Sequence, residues 1–124
     1  MYTSYMNELS DVERRVILDK STEAPFTGEY LNNKAHGVYV CRQCDSLLYN
    51  SKDKFESFCG WPSFDDEIKD AVKRTLDKDG VRTEITCAKC GGHLGHVFND
   101  GPKETTGQRF CINSCALDLD TKGE

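Results

Sequence analysis

The stretch Val81-Arg82-Thr83-Glu84-Ile85-Thr86-Cys87-Ala88-Lys89-Cys90 decides how the chain folds, because a strand pattern runs directly into a pair of cysteines. Val81, Thr83 and Ile85 alternate with polar residues, which is the period of a half-buried β-strand. The two cysteines have the spacing with which one tight turn presents two sulfurs to a metal ion. The stretch therefore predicts a strand that ends at a metal-binding Cys-x-x-Cys turn, here called a knuckle.

A second pair, Cys41 and Cys44, follows the β-rich residues 38–40 in the same way. Two such pairs brought together form a tetrahedral Cys₄ cage, so the sequence predicts one structural zinc ion per chain. The alternatives are a redox-active Cys-x-x-Cys or four inert buried thiols. A structural zinc contributes about 10–16 kcal/mol, which is large beside the roughly 5–15 kcal/mol of net stability of a small domain. A closed cage has no open position, so we expect the chemistry elsewhere.

The length of 124 residues fits one domain with a modest core. No run of about 18 apolar residues predicts a membrane span, and the N-terminus lacks the basic start and apolar stretch of a secretory signal. We therefore expect a cytoplasmic protein without a membrane partner. The net charge is −5 and the 16 Lys and Arg residues are scattered, which argues against a nucleic-acid partner.

The remaining patterns predict a mainly antiparallel β fold with a short N-terminal helix. Ser10 and Glu13 have the spacing of a capping box, and Val12 and Val16 would form the apolar stripe of the helix. Residues 21–37 are mostly loop, with a short extended stretch around Tyr30.

The second half of the chain contains two strand pairs. Residues 72–76 and 81–86 predict a hairpin that turns at residues 77–80. Helical spacing over residues 65–76 is the competing interpretation, which leaves 65–71 undecided. Residues 97–98 and 108–112 predict two further strands, on either side of the turn at Gly101 and Pro102.

Three of the seven cysteines lie outside the predicted cage: Cys59, Cys111 and Cys115. In an extended segment Arg109 and Asn113 lie on the same face as Cys111. A nearby guanidinium lowers the pKa of a thiol and favours the nucleophilic thiolate, and Asn113 could orient the site by hydrogen bonds. Cys115 lies in an apolar context and fits an inert small hydrophobe.

Other residues offer both ordinary and functional interpretations. His93 and His96 could bind metal, but the cysteines already complete a cage, so a role in proton transfer is favoured. Trp61 is either a core residue or an aromatic wall for an apolar substrate. Asp100 fits a turn residue better than a catalytic acid.

Three motifs taken together resemble one family. Gly60-Trp61-Pro62-Ser63-Phe64, His93-Leu94-Gly95-His96-Val97-Phe98 and Arg109-Phe110-Cys111-Ile112-Asn113-Ser114, in that order, are similar to the methionine-R-sulfoxide reductases of the B type. The similarity extends upstream through residues 25–30 and includes residues 81–84. It covers roughly residues 9–119, so we expect residues 1–124 to form a single catalytic domain with its core at about 9–119.

The resemblance implies two small antiparallel sheets, with zinc on Cys41, Cys44, Cys87 and Cys90 far from the active site. It implies that Cys111 is the nucleophile, that Cys59 is the resolving cysteine, and that Trp61 lines the pocket of the methyl sulfoxide group together with Phe98. It also implies a group of polar residues around the substrate oxygen and the nucleophile: His93, His96, Asp100, Arg109 and Asn113.

The chemistry implied by the resemblance starts when the Cys111 thiolate attacks the sulfoxide sulfur while His96 protonates the oxygen. Cys111 becomes a sulfenic acid, which condenses with Cys59 to a disulfide. The implied partners are methionine-R-sulfoxide, free or in oxidised proteins, and thioredoxin as the reductant of a monomeric enzyme.

Two positions depart from the family pattern. Phe58 stands where glycine is common before the resolving cysteine, and its bulk could restrict the loop that brings Cys59 to Cys111. Cys115 stands where a small residue is usual. In an extended segment its Cα would lie about 13 Å from that of Cys111, at about 3.3 Å per residue, which is too far for a direct disulfide. Cys115 is therefore a weak rival to Cys59 as the resolving cysteine, unless the segment bends or unwinds.

Two hypotheses from other classes stay open at this point. One is a zinc-ribbon module that binds a ligand without chemistry. The other is a disulfide-isomerase-like protein that uses a Cys-x-x-Cys pair.

Overall fold

The computed structural model describes residues 7–121, which contain one short helix and nine strands. The helix, α1, spans Asp11–Ile17. The strands are β1 Val38–Cys41, β2 Leu47–Asn50, β3 Lys54–Phe55, β4 Ser63–Phe64, β5 Val72–Leu76, β6 Thr83–Cys87, β7 His93–Phe98, β8 Arg109–Ile112 and β9 Leu117–Asp120. Short 3₁₀ turns occupy Ser51–Asp53 and Ser114–Ala116.

The strands form two antiparallel sheets. The smaller sheet has the order β2-β1-β9 and the larger has the order β3-β4-β8-β7-β6-β5. Every strand pair in both sheets is antiparallel. The predicted fold class, mainly β with two antiparallel sheets and a short helix, is confirmed.

Aromatic side chains join the two sheets. Tyr39 of β1 and Tyr49 of β2 contact Phe64 of β4, with ring centroids 5.2 Å and 4.5 Å apart, and all three rings are fully buried. Phe110 of β8 lies in the same cluster, 5.6 Å from Tyr49. Because side chains alternate along a strand, the burial of Phe110 turns its neighbours Arg109 and Cys111 to the opposite face of the larger sheet.

The N-terminal capping box is confirmed. The amide of Glu13 donates to Ser10 Oγ at 3.2 Å, and the amide of Ser10 donates to Glu13 Oε1 at 2.8 Å. The predicted apolar stripe is half wrong, because Val16 is buried but Val12 is 51% exposed. Ile17, also buried, completes the stripe because α1 packs on β7 and on the 114–116 turn.

The β5–β6 hairpin is confirmed, but its second strand begins later than predicted. Val81 is 81% exposed and lies in the turn, where its amide donates to the Asp79 carboxylate at 2.9 Å. Glu84, predicted on the solvent face, is buried, and its carboxylate is paired with His93 and Lys20. The competing helix over residues 65–76 is wrong, since residues 65–71 form bends and turns and β5 follows.

Two other segments also differ from expectation. The loop at residues 21–37 is confirmed, but Tyr30 lies in a turn and not in an extended stretch. The predicted strands near 97–98 and 108–112 are confirmed, and β7 begins already at His93. The segment from Cys111 to Cys115 bends, because β8 ends at Ile112 and a 3₁₀ turn follows.

Within residues 7–121 there is no helix with the length and apolar character needed to cross a membrane.

Candidate active site

Two neighbouring strands place four of the candidate side chains on one face of the larger sheet. In the β7–β8 register His96 lies opposite Cys111 and Phe98 lies opposite Arg109. Directly opposed residues project from the same face of a sheet. These four side chains therefore lie on the face of the larger sheet opposite to that of Phe110. Gly95 allows the strands to pair this closely, because a Cβ at that position would overlap the Cys111 carbonyl oxygen.

These side chains line a cavity of about 200 Å³, here named the thiol pocket. The residues that line it are Thr22, Cys59, Trp61, Arg82, Gly95, His96, Phe98, Arg109, Cys111 and Asn113. Seven of the residues expected at the active site are therefore brought together. A larger cavity, of about 480 Å³, lies beside the loop at residues 33–36, but no cysteine lines it.

Two thiols meet in the thiol pocket. The Sγ atoms of Cys59 and Cys111 are 3.6 Å apart, and Ser57 Oγ donates to Cys59 Sγ at 3.0 Å. Burial acts to raise the pKa of Cys59, but hydrogen bonds from Ser57 and Ser63 outweigh it and lower the pKa to about 7. The two sulfurs are already in contact although Phe58 precedes Cys59, and the restriction of the loop by Phe58 stays a prediction.

The pKa of Cys111 moves in the direction opposite to the one predicted. Burial raises the pKa of Cys111 to about 12, and the nearby charge of Cys59 adds to the rise. Arg109 does lower this pKa, as the sequence indicated, but its effect is smaller than that of burial. In the resting pair Cys59 therefore holds negative charge more readily than Cys111.

Each histidine of β7 is paired with a carboxylate. His93 Nδ1 lies 2.8 Å from Glu84 Oε2, and His96 Nε2 lies 2.6 Å from Asp77 Oδ2. Lys20 Nζ donates to the second oxygen of Glu84 at 3.2 Å. Burial lowers the pKa of His93, although Glu84 opposes this effect. His93 does not line the thiol pocket, and its ring centroid lies 5.5 Å from that of His96.

Neither carboxylate was predicted from the sequence. The position of Glu84 near the histidines could have been predicted, because the second Cys-x-x-Cys pair forms the turn of the β6–β7 hairpin. Counting outward from that turn places Glu84 opposite Gly95, next to His96, and a register shift between Ile85 and Thr86 brings it opposite His96. Asp77 lies in the loop of the β5–β6 hairpin, and no pattern in the sequence indicates where this loop lies on the sheet.

The loop around Glu23 orients two pocket residues, and it too was missed. Trp61 Nε1 donates to the Glu23 carbonyl oxygen at 3.0 Å, and the Glu23 amide donates to Asn113 Oδ1 at 3.1 Å. The Glu23 carboxylate accepts from the amides of Ser114 and Cys115, at 2.7 Å and 3.0 Å. Glu23 thereby fixes the turn after β8 relative to the tryptophan.

Asp100 lies outside the pocket lining and pairs with Arg109. Arg109 Nε donates to Asp100 Oδ1 at 2.8 Å and Nη2 donates to Oδ2 at 3.2 Å, which lowers the pKa of Asp100. The guanidinium carbon of Arg109 also lies 4.5 Å from the centre of the Phe98 ring. These contacts hold Arg109 in place at the rim of the pocket.

The four cysteines of the two knuckles form a second cluster: Cys41, Cys44, Cys87 and Cys90, whose sulfurs all lie within 4.8 Å of one another. Two of the sulfur pairs are 3.6 Å apart. A tetrahedral metal with bonds of about 2.3 Å to sulfur places its ligands about 3.8 Å apart, so the donor set fits a metal ion. Both Cys-x-x-Cys pairs belong to one cluster, which favours a metal site over the redox-active pair of the disulfide-isomerase hypothesis.

The knuckles are built alike. Cys41 and Cys87 end strands β1 and β6, and their carbonyl oxygens accept from the amides of Asp45 and Gly91 at 2.8 Å. Asp45 and Gly91 both have a left-handed backbone, with φ of 64° and 78°. None of the four cysteines lines the thiol pocket, so the metal cluster and the pocket are separate sites.

The fold is similar to that of a solved structure, the Mis18 'Yippee-like' domain. The TM-score is 0.52 over 70% of this chain and 97% of that domain, with 16% sequence identity. At this identity the similarity concerns the fold alone.

The sequence is similar to an established enzyme family over nearly its whole length. The SelR domain matches residues 9–121. A protein of Bradyrhizobium diazoefficiens, named peptide methionine sulfoxide reductase MsrB, is 48% identical over 95% of this chain and 86% of its own length. Proteins of the same name from Hahella chejuensis and Acinetobacter baumannii are 49% and 48% identical, over 91% and 95% of this chain and 83% and 86% of their own lengths. The chain therefore belongs to the SelR family and is a member of the B-type peptide methionine sulfoxide reductases.

Proposed function

We propose that Cys111 reduces methionine-R-sulfoxide to methionine in the thiol pocket, with oxidised proteins as the main substrate and the free amino acid as another. One observation carries the proposal: Cys111 lines a small cavity that contains an aromatic wall, a histidine and a second thiol 3.6 Å from its sulfur. A cavity of about 200 Å³ is smaller than the roughly 300–1,000 Å³ of sites for drug-sized ligands, and it suits a single side chain.

Trp61 and Phe98 are the apolar surfaces against which we place the methyl group and the side-chain carbons of the substrate. The polar groups of His96, Arg109 and Asn113 surround the position that remains for the sulfoxide oxygen. We propose indirect roles for the two expected site residues outside the lining. His93 would support the adjacent His96, and Asp100 would hold Arg109.

In the proposed first step the Cys111 thiolate attacks the sulfoxide sulfur, and His96 donates a proton to the oxygen as its bond to sulfur breaks. The oxygen passes to Cys111, which becomes a sulfenic acid, and the substrate leaves as a thioether. Cys111 is thus oxidised by two electrons and the sulfoxide is reduced by two. Arg109 favours the reacting thiolate against the effect of burial.

In the proposed second step the Cys59 sulfur attacks the Cys111 sulfenic acid, and a disulfide and water form. The sulfurs must approach from 3.6 Å to about 2.05 Å, a movement within reach of a surface loop. We propose thioredoxin as the dithiol that reduces this disulfide and restores both thiols. Cys115 has no part in the cycle, and its amide is held by Glu23.

We propose that zinc is the metal held by Cys41, Cys44, Cys87 and Cys90. Four thiolates are a donor set that zinc binds in closed structural sites, where it links segments and leaves no position for substrate. A cluster of four metal-binding thiols and the proposed thiol reductant fit a reducing compartment, and we propose a cytoplasmic location. We propose that the enzyme acts as a monomer.

The decisive test is an assay with racemic methionine sulfoxide, free and within a peptide, in the presence of dithiothreitol. We expect the R epimer to be consumed and the S epimer to remain, and we expect no turnover in Cys111→Ser. Consumption of the S epimer alone, or full activity in Cys111→Ser, would contradict the proposal. Cys115→Ser is the matched control and should keep its activity.

A further inference from the structure

The tip of the β5–β6 hairpin reaches the thiol pocket. Asp77 follows β5 and Arg82 precedes β6, and the amide of Asp77 donates to the Arg82 carbonyl oxygen at 2.8 Å, which closes the loop between them. Arg82 lines the pocket, whereas Asp77 does not. Any effect of Asp77 on a bound substrate must therefore pass through a residue that it contacts.

We propose that Asp77 is a positioning residue that orients His96 and supports its action as a proton donor. The contact that carries this proposal is the 2.6 Å distance between Asp77 Oδ2 and His96 Nε2. The proposal rests on the function proposed above, in which His96 donates a proton to the sulfoxide oxygen. It adds a residue from a loop that the sequence motifs of the active site do not include.

The contact determines which nitrogen of His96 is free. The hydrogen bond with His96 lowers the pKa of Asp77, so the carboxylate is ionised near neutral pH and can only accept. His96 Nε2 therefore carries the shared hydrogen, and Nδ1 is the nitrogen left for other partners. The ring is held at one edge by this hydrogen bond, which restricts its rotation.

Arg82 also forms an ion pair with the Asp77 carboxylate. Its Nη2 lies 3.7 Å from the same Asp77 oxygen that faces His96. The side chains of His96 and Asp77 are only 13% and 20% exposed, so solvent screens their contact less than it would screen a surface pair. The carboxylate is thus held between an imidazole and a guanidinium.

The other charged or titratable groups near His96 have different partners. On β7 itself, His93 is paired with Glu84. Opposite His96, β6 presents the same Glu84 and β8 presents Cys111. Arg109, which is bound to Asp100, and Cys59 complete the lining. Among the residues described, Asp77 is the carboxylate whose hydrogen bond reaches a nitrogen of His96.

The test is a single turnover without reductant, in which the rate of methionine formation is followed from pH 5 to 9 at several sulfoxide concentrations. Asp77→Asn keeps the shape of the side chain and removes its charge. We expect a loss of about tenfold in the maximal rate, which is smaller than the roughly 10²–10⁴-fold of a complete proton-transfer contribution because His96 itself remains. We also expect the pH profile of the rate to differ from that of the parent enzyme, with little change in half-saturation. Asp77→Glu should recover part of the rate.

The matched control is Asp79→Asn, which makes the same change in the same loop. Asp79 bonds Arg82 and the Val81 amide but not His96, and an asparagine oxygen can still accept from that amide. This variant should keep the pH profile of the parent enzyme. Thermal unfolding of each variant shows whether the fold is intact.

A double-variant comparison separates this inference from the proposed function. His96→Gln should be slower than the parent, and Asp77→Asn added to His96→Gln should cause no further loss. An unchanged pH profile in Asp77→Asn, or independent losses in the double variant, would overturn the role of Asp77 while Cys111→Ser is still inactive. A normal rate in His96→Gln would overturn it as well, and full activity in Cys111→Ser would instead refute the function itself.

Discussion

Cys59 Sγ and Cys111 Sγ lie 3.6 Å apart, although 52 residues separate the two cysteines along the chain. The pairing of β4 with β8 creates this contact, because Ser63 lies opposite Cys111 and the loop before β4 carries Cys59. The reduced structure therefore already holds both sulfurs that the proposed cycle joins.

We expect a Cys59–Cys111 disulfide to form when the enzyme is treated with methionine sulfoxide without reductant. Peptide mapping of the oxidised protein measures this directly, and Cys115 should be recovered as a free thiol. Cys59→Ser should release one methionine per chain and then stop as a sulfenic acid that a specific reagent can trap. A Cys111–Cys115 disulfide in the parent protein would contradict the assignment.

The rate of disulfide formation should rise with pH through about 7, the pKa to which Cys59 is lowered. The thiolate is the attacking form, so the rate is low below this pH and levels off above it. Ser57→Ala removes a hydroxyl that donates to the Cys59 sulfur, so the pKa should rise and the rate at pH 7 should fall severalfold. Rapid quenching with a thiol reagent provides the measurement.

Thr75→Ala, an exposed change on β5, serves as the control for that experiment. A pH midpoint that is the same in Ser57→Ala and in the parent would show that the serine does not stabilise the Cys59 thiolate.

Trp61→Ala should reduce kcat/KM for the sulfoxide by about 10–100-fold, which corresponds to roughly 1.5–3 kcal/mol for a large apolar contact. Trp61→Phe should lose less, since it keeps an aromatic wall and gives up the hydrogen bond to the Glu23 carbonyl. Steady-state assays with dithiothreitol measure both variants.

The matched control for Trp61 is Phe58→Ala, in the same loop. Phe58 is 81% exposed and does not line the thiol pocket, so kcat/KM should stay within about twofold of the parent value. An equal loss in Phe58→Ala and Trp61→Ala would contradict the assignment of Trp61 as the pocket wall.

Removal of the metal should unfold the protein. The apparent contribution of a structural zinc, about 10–16 kcal/mol, equals or exceeds the net stability of a small domain. We expect one zinc per chain by elemental analysis, and a chelator or Cys87→Ser should abolish the cooperative thermal transition seen by circular dichroism. Cys115→Ser is the control and should retain zinc. A metal-free chain with the same melting temperature would contradict a structural role.

Local patterns in the sequence were enough to predict several elements. The capping box needs only Ser10 and Glu13, three residues apart, and the structure contains both of its hydrogen bonds. The two Cys-x-x-Cys pairs predicted the cluster because each pair forms within one turn. These features depend on residues close together in the chain, where spacing alone determines which groups can meet.

Burial was harder to predict because it depends on what covers a residue. Val81 and Glu84 belong to one alternating pattern, yet the first is exposed and the second is buried. The pattern identifies two faces of a strand, but the neighbours of that strand decide which face is covered. The pKa of Cys111 shows the same limit, because Arg109 is visible in the sequence and the burial that outweighs it is not.

The amino-acid sequence is enough to identify the side chains available for chemistry: a cysteine between Arg109 and Asn113, two histidines and a tryptophan. How these side chains are paired depends on the folded chain. The contacts of Cys59 with Cys111, of Asp77 with His96 and of Glu23 with Trp61 each join segments distant in sequence. Such contacts follow from strand order and from the course of loops over the sheets, which depend on the packing of the whole chain. Composition and spacing describe only its local parts.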